Sequence, residues 1–322
     1  MQVGLSREPV LHAAEEGDRR RPLWKQLEEI RRHRLVFGFG IVLPLAVYLV
    51  FVGYPISYTF YLSFQQWNGF SNVVKFVGLA NYRHLINDSN FWLSFSNTVK
   101  WIIGTLFFTD VLAFILAVVL RSKSIYFGAV LRAFFFLPVT MSLIAIGLMF
   151  SFILTPAFGG VGLIAQALGF PRGPDLLGQP ATALYTLIGV FGWSYLGIPL
   201  VLFDAGLTQI PEELNEAARL EGATPLQQLR FVTLPMLRPT FVVVTVLAVL
   251  EAIRTFDLVY AMTGGGPGHS SDTLGYYMWI QSFDERHFGY GAAISTVMLL
   301  LSSLFAMVYV RRAGRAALEG GG

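Results

Sequence analysis

Six long apolar runs alternate with polar segments along the chain. The runs occupy residues 35–64, 96–120, 129–154, 181–206, 236–262 and 291–310. An α-helix of about 20 residues crosses the hydrocarbon core of a bilayer, and a helix satisfies its own backbone hydrogen bonds there. The pattern therefore predicts an all-α polytopic membrane protein with six transmembrane helices.

Composition supports this prediction and excludes several kinds of site. Hydrophobic residues make up 54% of the 322 residues and charged residues only 13%, which is more apolar surface than one soluble core can bury. The absence of cysteine excludes disulfides and thiolate metal ligands. The five histidines lack the spacing of metal ligands, so no metal site is predicted.

Basic residues orient the predicted spans. Six spans place both termini on one side, and that side carries most of the 23 Lys and Arg residues. By the positive-inside rule both termini are cytoplasmic. The predicted domains are a basic cytoplasmic arm at 1–34, a membrane domain at 35–310 and a cytoplasmic tail at 311–322. Four tryptophans fall near predicted outer span ends, where an interfacial aromatic belt is expected: Trp67, Trp92, Trp101 and Trp279.

The basic arm suits the anionic surface of the inner leaflet. Trp24, Leu27 and Ile30 recur at helical spacing among its charges, as in a short helix that lies on a membrane. Nucleic-acid binding is the competing interpretation, and we expect no nucleic-acid partner.

The segment 207–239, between spans four and five, is polar and helix-forming. Pro211 precedes two glutamates, a typical first helical turn. Gly222 is expected to break this helix. Thr224 and Pro225 form an N-cap and first-position pair, so a second short helix is predicted that stops ahead of Pro235.

The same segment contains a motif of six residues: Glu216, Ala217, Ala218, Gly222, Leu234 and Pro235. This motif resembles the EAA loop of the permease subunits of ATP-binding-cassette importers. The resemblance implies that the first helix sits in a groove of a partner ATPase and transmits its closure to the spans. An interfacial amphipathic loop is the alternative interpretation.

Two further stretches are FVGLANY at residues 76–82 and FDLVYAMTGGGP at residues 256–267. They resemble signatures of carbohydrate importers of the maltose type. The resemblance implies half of a translocation pathway for a sugar or oligosaccharide in a bacterial or archaeal cytoplasmic membrane. The implied partners are a second homologous permease, two ATPase copies and an extracytoplasmic solute-binding protein. A glycerol phosphate or polyol is the alternative solute.

Three ionisable residues lie inside span five at three-residue spacing: Glu251, Arg254 and Asp257. A charge at a lipid-facing helix centre costs about 2.5–3.5 kcal/mol on insertion scales, so these side chains must face protein or water. Arg254 is placed to reach both acids. They form either an ion network that locks span five to another helix or the lining of a hydrated solute cavity. Asp110, alone in span two, is expected to be a structural hydrogen bonder.

The family resemblance places the solute site among spans three, four and five. Trp193 and Tyr195 lie near the middle of span four, where an aromatic face suits a sugar ring and packing is the alternative. The candidate pathway residues are Trp193, Tyr195, Ala248, Glu251, Ala252, Arg254, Thr255 and Asp257.

The sequence contains no phosphate loop of the GxxxxGK[ST] type and no catalytic set. We therefore expect a transport subunit rather than an enzyme, with no cofactor of its own and with ATP and Mg bound by the partner ATPases. An ion-coupled secondary transporter, with the span-five charges as its relay, is the main rival. A membrane scaffold subunit is the second.

Overall fold

A computed structural model describes residues 38–121 and 127–319, and the side chains as far as residue 312. The predicted basic arm at 1–34 lies outside the described residues. Backbone contacts divide the chain into two units, Met1–Tyr58 and Thr59–Gly322.

The described elements are almost all helical. In chain order they are α1 (Gly38–Leu62), β1 (Gln65–Gln66), β2 (Lys75–Phe76), α2 (Ala80–Asn87), α3 (Ser89–Leu120), α4 (Gly128–Phe136), α5 (Leu143–Ile153), α6 (Gly160–Ala167), α7 (Ala183–Tyr195), α8 (Gly197–Thr208), α9 (Glu212–Leu220), α10 (Pro225–Met236), α11 (Arg238–Ile253), α12 (Asp257–Met262), α13 (Leu274–Trp279) and α14 (Phe288–Glu319). β1 and β2 pair antiparallel, with Gln65 opposite Phe76.

The spans are of two kinds. Within the described part, α1, α3 and α14 are each long and apolar enough to cross a membrane as single helices. Three bent pairs pass the same test jointly: α4 with α5, bent by 100°, α7 with α8, by 45°, and α10 with α11, by 68°. Counting each pair as one span gives the six predicted from the sequence, in a polytopic all-α membrane protein.

Prolines account for the bends. Pro138 lies in the 3-10 turn that follows α4, Pro199 lies in the first turn of α8, and Pro239 lies in the first turn of α11. Proline removes a backbone donor and clashes with the preceding turn, so it is favoured where a helix restarts. Gly197 permits the close approach at the second bend, because a Cβ there would lie 2.7 Å from the Cα of Phe136.

Span five is not one uninterrupted helix, and the prediction of a single run from 236 to 262 is wrong. The α11 helix ends at Ile253 and α12 begins at Asp257. Outside the helices, the Thr255 carbonyl accepts a hydrogen bond from Thr273 Oγ1 at 2.7 Å. Gly275 packs against the same carbonyl, since a Cβ at Gly275 would lie 2.6 Å from that oxygen. A segment distant in sequence thus holds the break open.

The buried apolar residues form two main clusters along the spans. One cluster joins α3, α5, α7 and α12 and includes Trp101, Ile146, Leu187 and Leu258. The other joins α3, α8 and α11 and includes Phe203. The two clusters fix the helices that surround the sites described below.

Trp101 does not belong to an aromatic belt, contrary to the prediction. Its side chain is fully buried and packs on Phe191 of α7, with ring centroids 5.6 Å apart. It shares one buried face of α3 with Asn97 and Thr98. A position near a span end therefore does not determine whether a side chain faces the lipid or the protein core.

Asp110 has the structural role expected of it. It lies in a π-helical turn of α3, Phe107–Leu112, and its Oδ1 accepts a hydrogen bond from Thr245 Oγ1 at 3.0 Å. The bond ties span two to span five.

Asp88, the residue before α3, connects the start of α3 with α13 and α14. Its Oδ2 accepts hydrogen bonds from the hydroxyls of Tyr277, at 2.5 Å, and Tyr290, at 2.6 Å. Burial raises the pKa of Asp88, but the hydrogen bonds of these tyrosines and two backbone N–H groups outweigh it, and the pKa lies below its ordinary value of 3.8. The carboxylate therefore stabilises the fold above about pH 4, and this stabilisation is lost as the pH falls through the lowered pKa.

We expect Asp88→Ala to lower the thermal unfolding temperature of the detergent-solubilised protein by several degrees. It strands two buried tyrosine hydroxyls, each at a cost of about 1–3 kcal/mol. Intrinsic-fluorescence melting measures the effect. Tyr277→Phe and Tyr290→Phe serve as controls. Each removes one hydrogen bond together with the hydroxyl that donates it, so each should lower the unfolding temperature less. An unchanged melting temperature for Asp88→Ala would show that the cluster contributes nothing to stability.

Candidate functional site

The first helix of the segment 207–239 begins where the sequence predicted. Pro211 is the N-cap of α9, and Glu212 and Glu213 lie in its first turn, where acidic side chains complement the helix dipole. Arg219 lies in the last turn, which favours a cation. None of the nine residues of α9 is buried.

A glycine bend and a capping box connect α9 to α10. Gly222 has a φ of +82°, in the left-handed region that favours glycine. The Ala223 N–H bonds the Ala218 carbonyl at 2.9 Å and closes the helix. Thr224 and Gln227 form a reciprocal capping box that starts α10. The predicted sequence of helix, glycine bend and helix is confirmed.

The two helices expose large apolar side chains. The exposed fractions are 42% for Leu214, 90% for Leu220, 73% for Leu226 and 67% for Phe231. Ala217 is also exposed and Ala218 half-buried, and Glu216 is exposed beside them. Apolar side chains concentrated on polar, charged helices indicate a surface that another protein covers. We call residues 211–231 the coupling surface.

Pro235 does not stop the second helix, contrary to the prediction. A π-helical turn at Leu229–Thr233 pairs the Leu234 N–H with the Leu229 carbonyl, and the helix continues to Met236. The wider turn accommodates the proline, which has no N–H to donate. Leu234 packs against the buried cluster that includes Phe203 and Leu237, and Pro235 is half-buried. The residues that follow the coupling surface thus connect it to the buried core of the spans.

A charged cluster lies at the other end of the segment. The Arg132 guanidinium lies 3.2 Å from Asp204 Oδ1, joining α4 to α8. Arg121 donates to the Thr208 hydroxyl at 2.8 Å. Asp204 lies near the end of α8. Its partner is a basic residue from the preceding bent span.

The unwound residues of span five open into a cavity of about 360 Å³. Four of the predicted pathway residues line it: Glu251, Arg254, Thr255 and Asp257. Four apolar residues complete the wall: Leu143, Phe191, Phe256 and Leu258. A cavity with apolar walls and a few polar groups is typical of a small-molecule site.

The polar groups of this cavity centre on a two-bond fork. Arg254 Nε donates to Glu251 Oε2 at 3.0 Å, and Nη2 donates to Oε1. The arginine side chain is 70% exposed and the glutamate side chain 32%. Asp257 begins α12 and forms no ion pair with Arg254 within the described residues. Because the helix is interrupted between Ile253 and Asp257, the three charged residues do not share one helix face.

The other predicted pathway residues lie outside the cavity lining. Ala248 and Ala252 are 1% and 0% exposed and face the core. Trp193 packs on Phe150, with ring centroids 5.4 Å apart. Tyr195 is stacked on Phe191 at 5.4 Å, one ring behind the cavity wall. Leu143 and Phe191 carried no signal in the sequence, because only the packing of three spans brings them together.

No metal-binding cluster was found in the part of the chain that the structure describes. Among residues 38–121 and 127–319, no group of three His, Asp or Glu side chains could hold a metal ion.

Comparisons with known proteins define the class of this chain. Residues 111–316 match the family model of the binding-protein-dependent transport system inner membrane component. A probable ABC transporter permease protein, YurN, of Bacillus subtilis is 34% identical over 86% of this chain and 95% of its own length. The trehalose/maltose transport system permease protein MalF of Thermococcus litoralis is 30% identical over 85% and 92%.

The fold has a close counterpart among solved structures. A chain in the crystal structure of a bacterial ABC transporter involved in the import of the acidic polysaccharide alginate superposes with a TM-score of 0.76. The alignment covers 90% of this chain and 99% of the other at 19% identity, so the similarity concerns the fold.

These findings identify the chain as a membrane-embedded transport subunit and not an enzyme. It belongs to the family of binding-protein-dependent transport system inner membrane components.

Proposed function

We propose that this chain is a permease subunit of an ATP-driven importer and forms half of the pathway for a sugar or oligosaccharide. The coupling surface is the observation that carries the proposal. A secondary transporter has no use for an exposed apolar surface between two spans. Here the residues on either side of that surface are tied to the spans, by the Arg132–Asp204 ion pair before it and by the packing of Leu234 after it. A partner ATPase, which would bind ATP and Mg, has a use for such a surface.

In this proposal α9 docks into the ATPase, with Glu216, Ala217 and Ala218 as the docking strip. Gly222 sets the angle between α9 and α10. Leu234 and Pro235 pass the motion on, because this part of α10 packs on the inner cluster of the spans. A helix whose residues are all at least partly exposed suits a groove in another protein.

The cavity at Glu251 and Arg254 is the proposed solute site. A sugar presents hydroxyls as donors and acceptors, and the fork offers a carboxylate and a guanidinium in one place. Phe191 and Phe256 supply apolar wall against a sugar ring. The carboxylate beside Arg254 opposes a phosphate, so a sugar fits this cavity better than a glycerol phosphate. The trehalose/maltose relative supports the same class of solute.

The remaining assignments concern orientation and partners. Both termini and the coupling surface face the cytoplasm, where ATP is, in the inner membrane of a bacterium or archaeon. The partners are a second homologous permease, two ATPase copies and an extracytoplasmic solute-binding protein. Residues 35–310 form the membrane domain, with 1–34 and 311–322 as cytoplasmic segments.

Purification of the tagged chain from its native membranes in mild detergent, followed by mass spectrometry, tests the proposal. We expect an ATPase and a second permease to co-purify. The same chain with Leu220→Asp and Leu226→Asp is the control and should lose the ATPase while it keeps the permease. A chain that purifies alone would contradict the proposal and favour the secondary transporter.

A further inference from the structure

A second cavity, of about 640 Å³, lies on the predicted outer side, where the β1–β2 hairpin and α2 meet the start of α14. Its lining combines an aromatic ring with polar and charged side chains, among them Gln66, Trp67, Asn68, Lys75, His84 and Arg286. An aromatic face flanked by amides and cations is the combination that suits a carbohydrate.

Aromatic rings join this outer cavity to the cavity at Arg254. Phe256, in the wall of the inner cavity, lies 5.5 Å from Trp279 by ring centroids. Trp279 lies 6.2 Å from Phe283 and 5.1 Å from Tyr260. Each separation is within the range of interacting aromatic pairs.

The same chain of rings continues to the outer cavity. Phe283 lies 5.3 Å from Phe288. Phe288 lies 5.6 Å from Trp67, which lines the outer cavity. We call Phe256, Tyr260, Trp279, Phe283, Phe288 and Trp67 the aromatic path.

The rings of this path are all at least partly exposed. Tyr260 is 47% exposed and Phe283 is 56% exposed, and the other four are half-buried. Rings that served only to pack the outer segments together would be covered. Here each ring contacts another ring of the path and remains at least partly exposed.

Lipid is a poor occupant for that surface. Phe283 is followed directly by Asp284, Glu285 and Arg286, all of them exposed, and three charges in a row do not enter hydrocarbon. Both ends of the path also open into cavities with charged side chains. The path therefore begins at one cavity with polar lining and ends at another.

We propose that the aromatic path is a stacking route along which a sugar moves from the outer cavity to the cavity at Glu251 and Arg254. The proposal rests on the proposed function and names the residues ahead of the solute site. A sugar ring has an apolar face that stacks on an aromatic ring, and its hydroxyls remain free for the polar groups beside the path. Successive rings offer similar contacts, so the solute passes without being held.

Water access to the path is the first test. The chain has no cysteine. A Phe283→Cys or Tyr260→Cys substitution in the assembled complex therefore introduces the only thiol of this chain that a reagent can label. We expect a membrane-impermeant methanethiosulfonate, added from outside, to label both and to block uptake. Ile103→Cys, 64% exposed on the apolar α3, is the unlabelled control. Failure to label the two path positions, as when the second permease covers them, would overturn the proposal.

Solute movement is the second test, made with radiolabelled maltose, trehalose and glycerol 3-phosphate. In the Phe283→Leu complex we expect the sugar imported per ATP hydrolysed to fall roughly two- to tenfold, the factor that one stacking contact supplies. Phe170→Leu removes an equally exposed ring, 62%, away from the path, and should leave the ratio unchanged.

The outcomes separate this proposal from the proposed function. An unchanged ratio for Phe283→Leu, with an active complex, overturns the path alone. A wild-type complex that imports only glycerol 3-phosphate, which has no ring, or none of the probes overturns the stacking route and the sugar assignment together. Co-purification of the ATPase still tests the coupling surface independently.

Discussion

Gly222→Val is expected to lower solute uptake at least tenfold, while the subunit still inserts and assembles with its partners. Gly222 has a φ of +82°, and a Cβ there meets nothing within 4 Å. The effect therefore comes from the backbone alone. A left-handed conformation costs about 1–2 kcal/mol for an ordinary residue and is a genuine outlier for a β-branched one.

The least costly relaxation of Gly222→Val moves φ to negative values and re-aims α9. That change breaks the hydrogen bond from the Ala223 N–H to the Ala218 carbonyl, which closes the helix. The docking helix then no longer points along the direction set by α10. ATP hydrolysis by the assembled complex should continue without matching transport, and parallel assays of uptake and ATPase activity in proteoliposomes measure the loss.

A matched control comes from the predicted outer side. Gly169 has a φ of +86° and also has nothing within 4 Å of a Cβ, so Gly169→Val imposes the same strain far from the coupling surface. It should leave uptake close to wild type. Gly222→Asn, which tolerates the left-handed region, should keep most of the uptake. Equal uptake by the two valine variants would remove Gly222 from the coupling role.

The coupling surface was largely predictable because its structure is encoded locally. Pro211 starts a helix, Gly222 ends it and Thr224 caps the next, all within 14 residues. The error at Pro235 arose because a π-helical turn upstream accommodates the proline. No residue type in that stretch signals such a turn.

The cavity proposed for the solute was only partly predictable because its geometry depends on distant contacts. The charges of Glu251 and Arg254 mark the place, since charges inside a span need a reason. The break beside them depends on Thr273, 18 residues further along the chain. The wall at Leu143 and Phe191 comes from two other spans. Burial of Ala248 and Ala252 follows from the direction in which α11 turns, which spacing alone does not fix.

Glu251→Gln is expected to leave folding and assembly intact and to lower uptake by roughly tenfold or more. The pair it disrupts is partly exposed, with the arginine side chain 70% exposed and the glutamate side chain 32%, and exposed ion pairs contribute about 0–1 kcal/mol to stability. A hydrogen bond between a solute hydroxyl and a charged group is stronger, about 1.5–3 kcal/mol. Loss of the carboxylate therefore affects the solute far more than the fold.

Size-exclusion chromatography of the complex and uptake of the solute measure the two effects separately. Glu251→Asp keeps the charge on a shorter side chain and should be intermediate. Arg254→Lys keeps the positive charge but loses the two-bond fork, so its loss of uptake shows how much the geometry contributes. If Glu251→Gln instead prevents assembly, the pair is a structural lock between helices. The proposal that this cavity is the solute site would then be wrong.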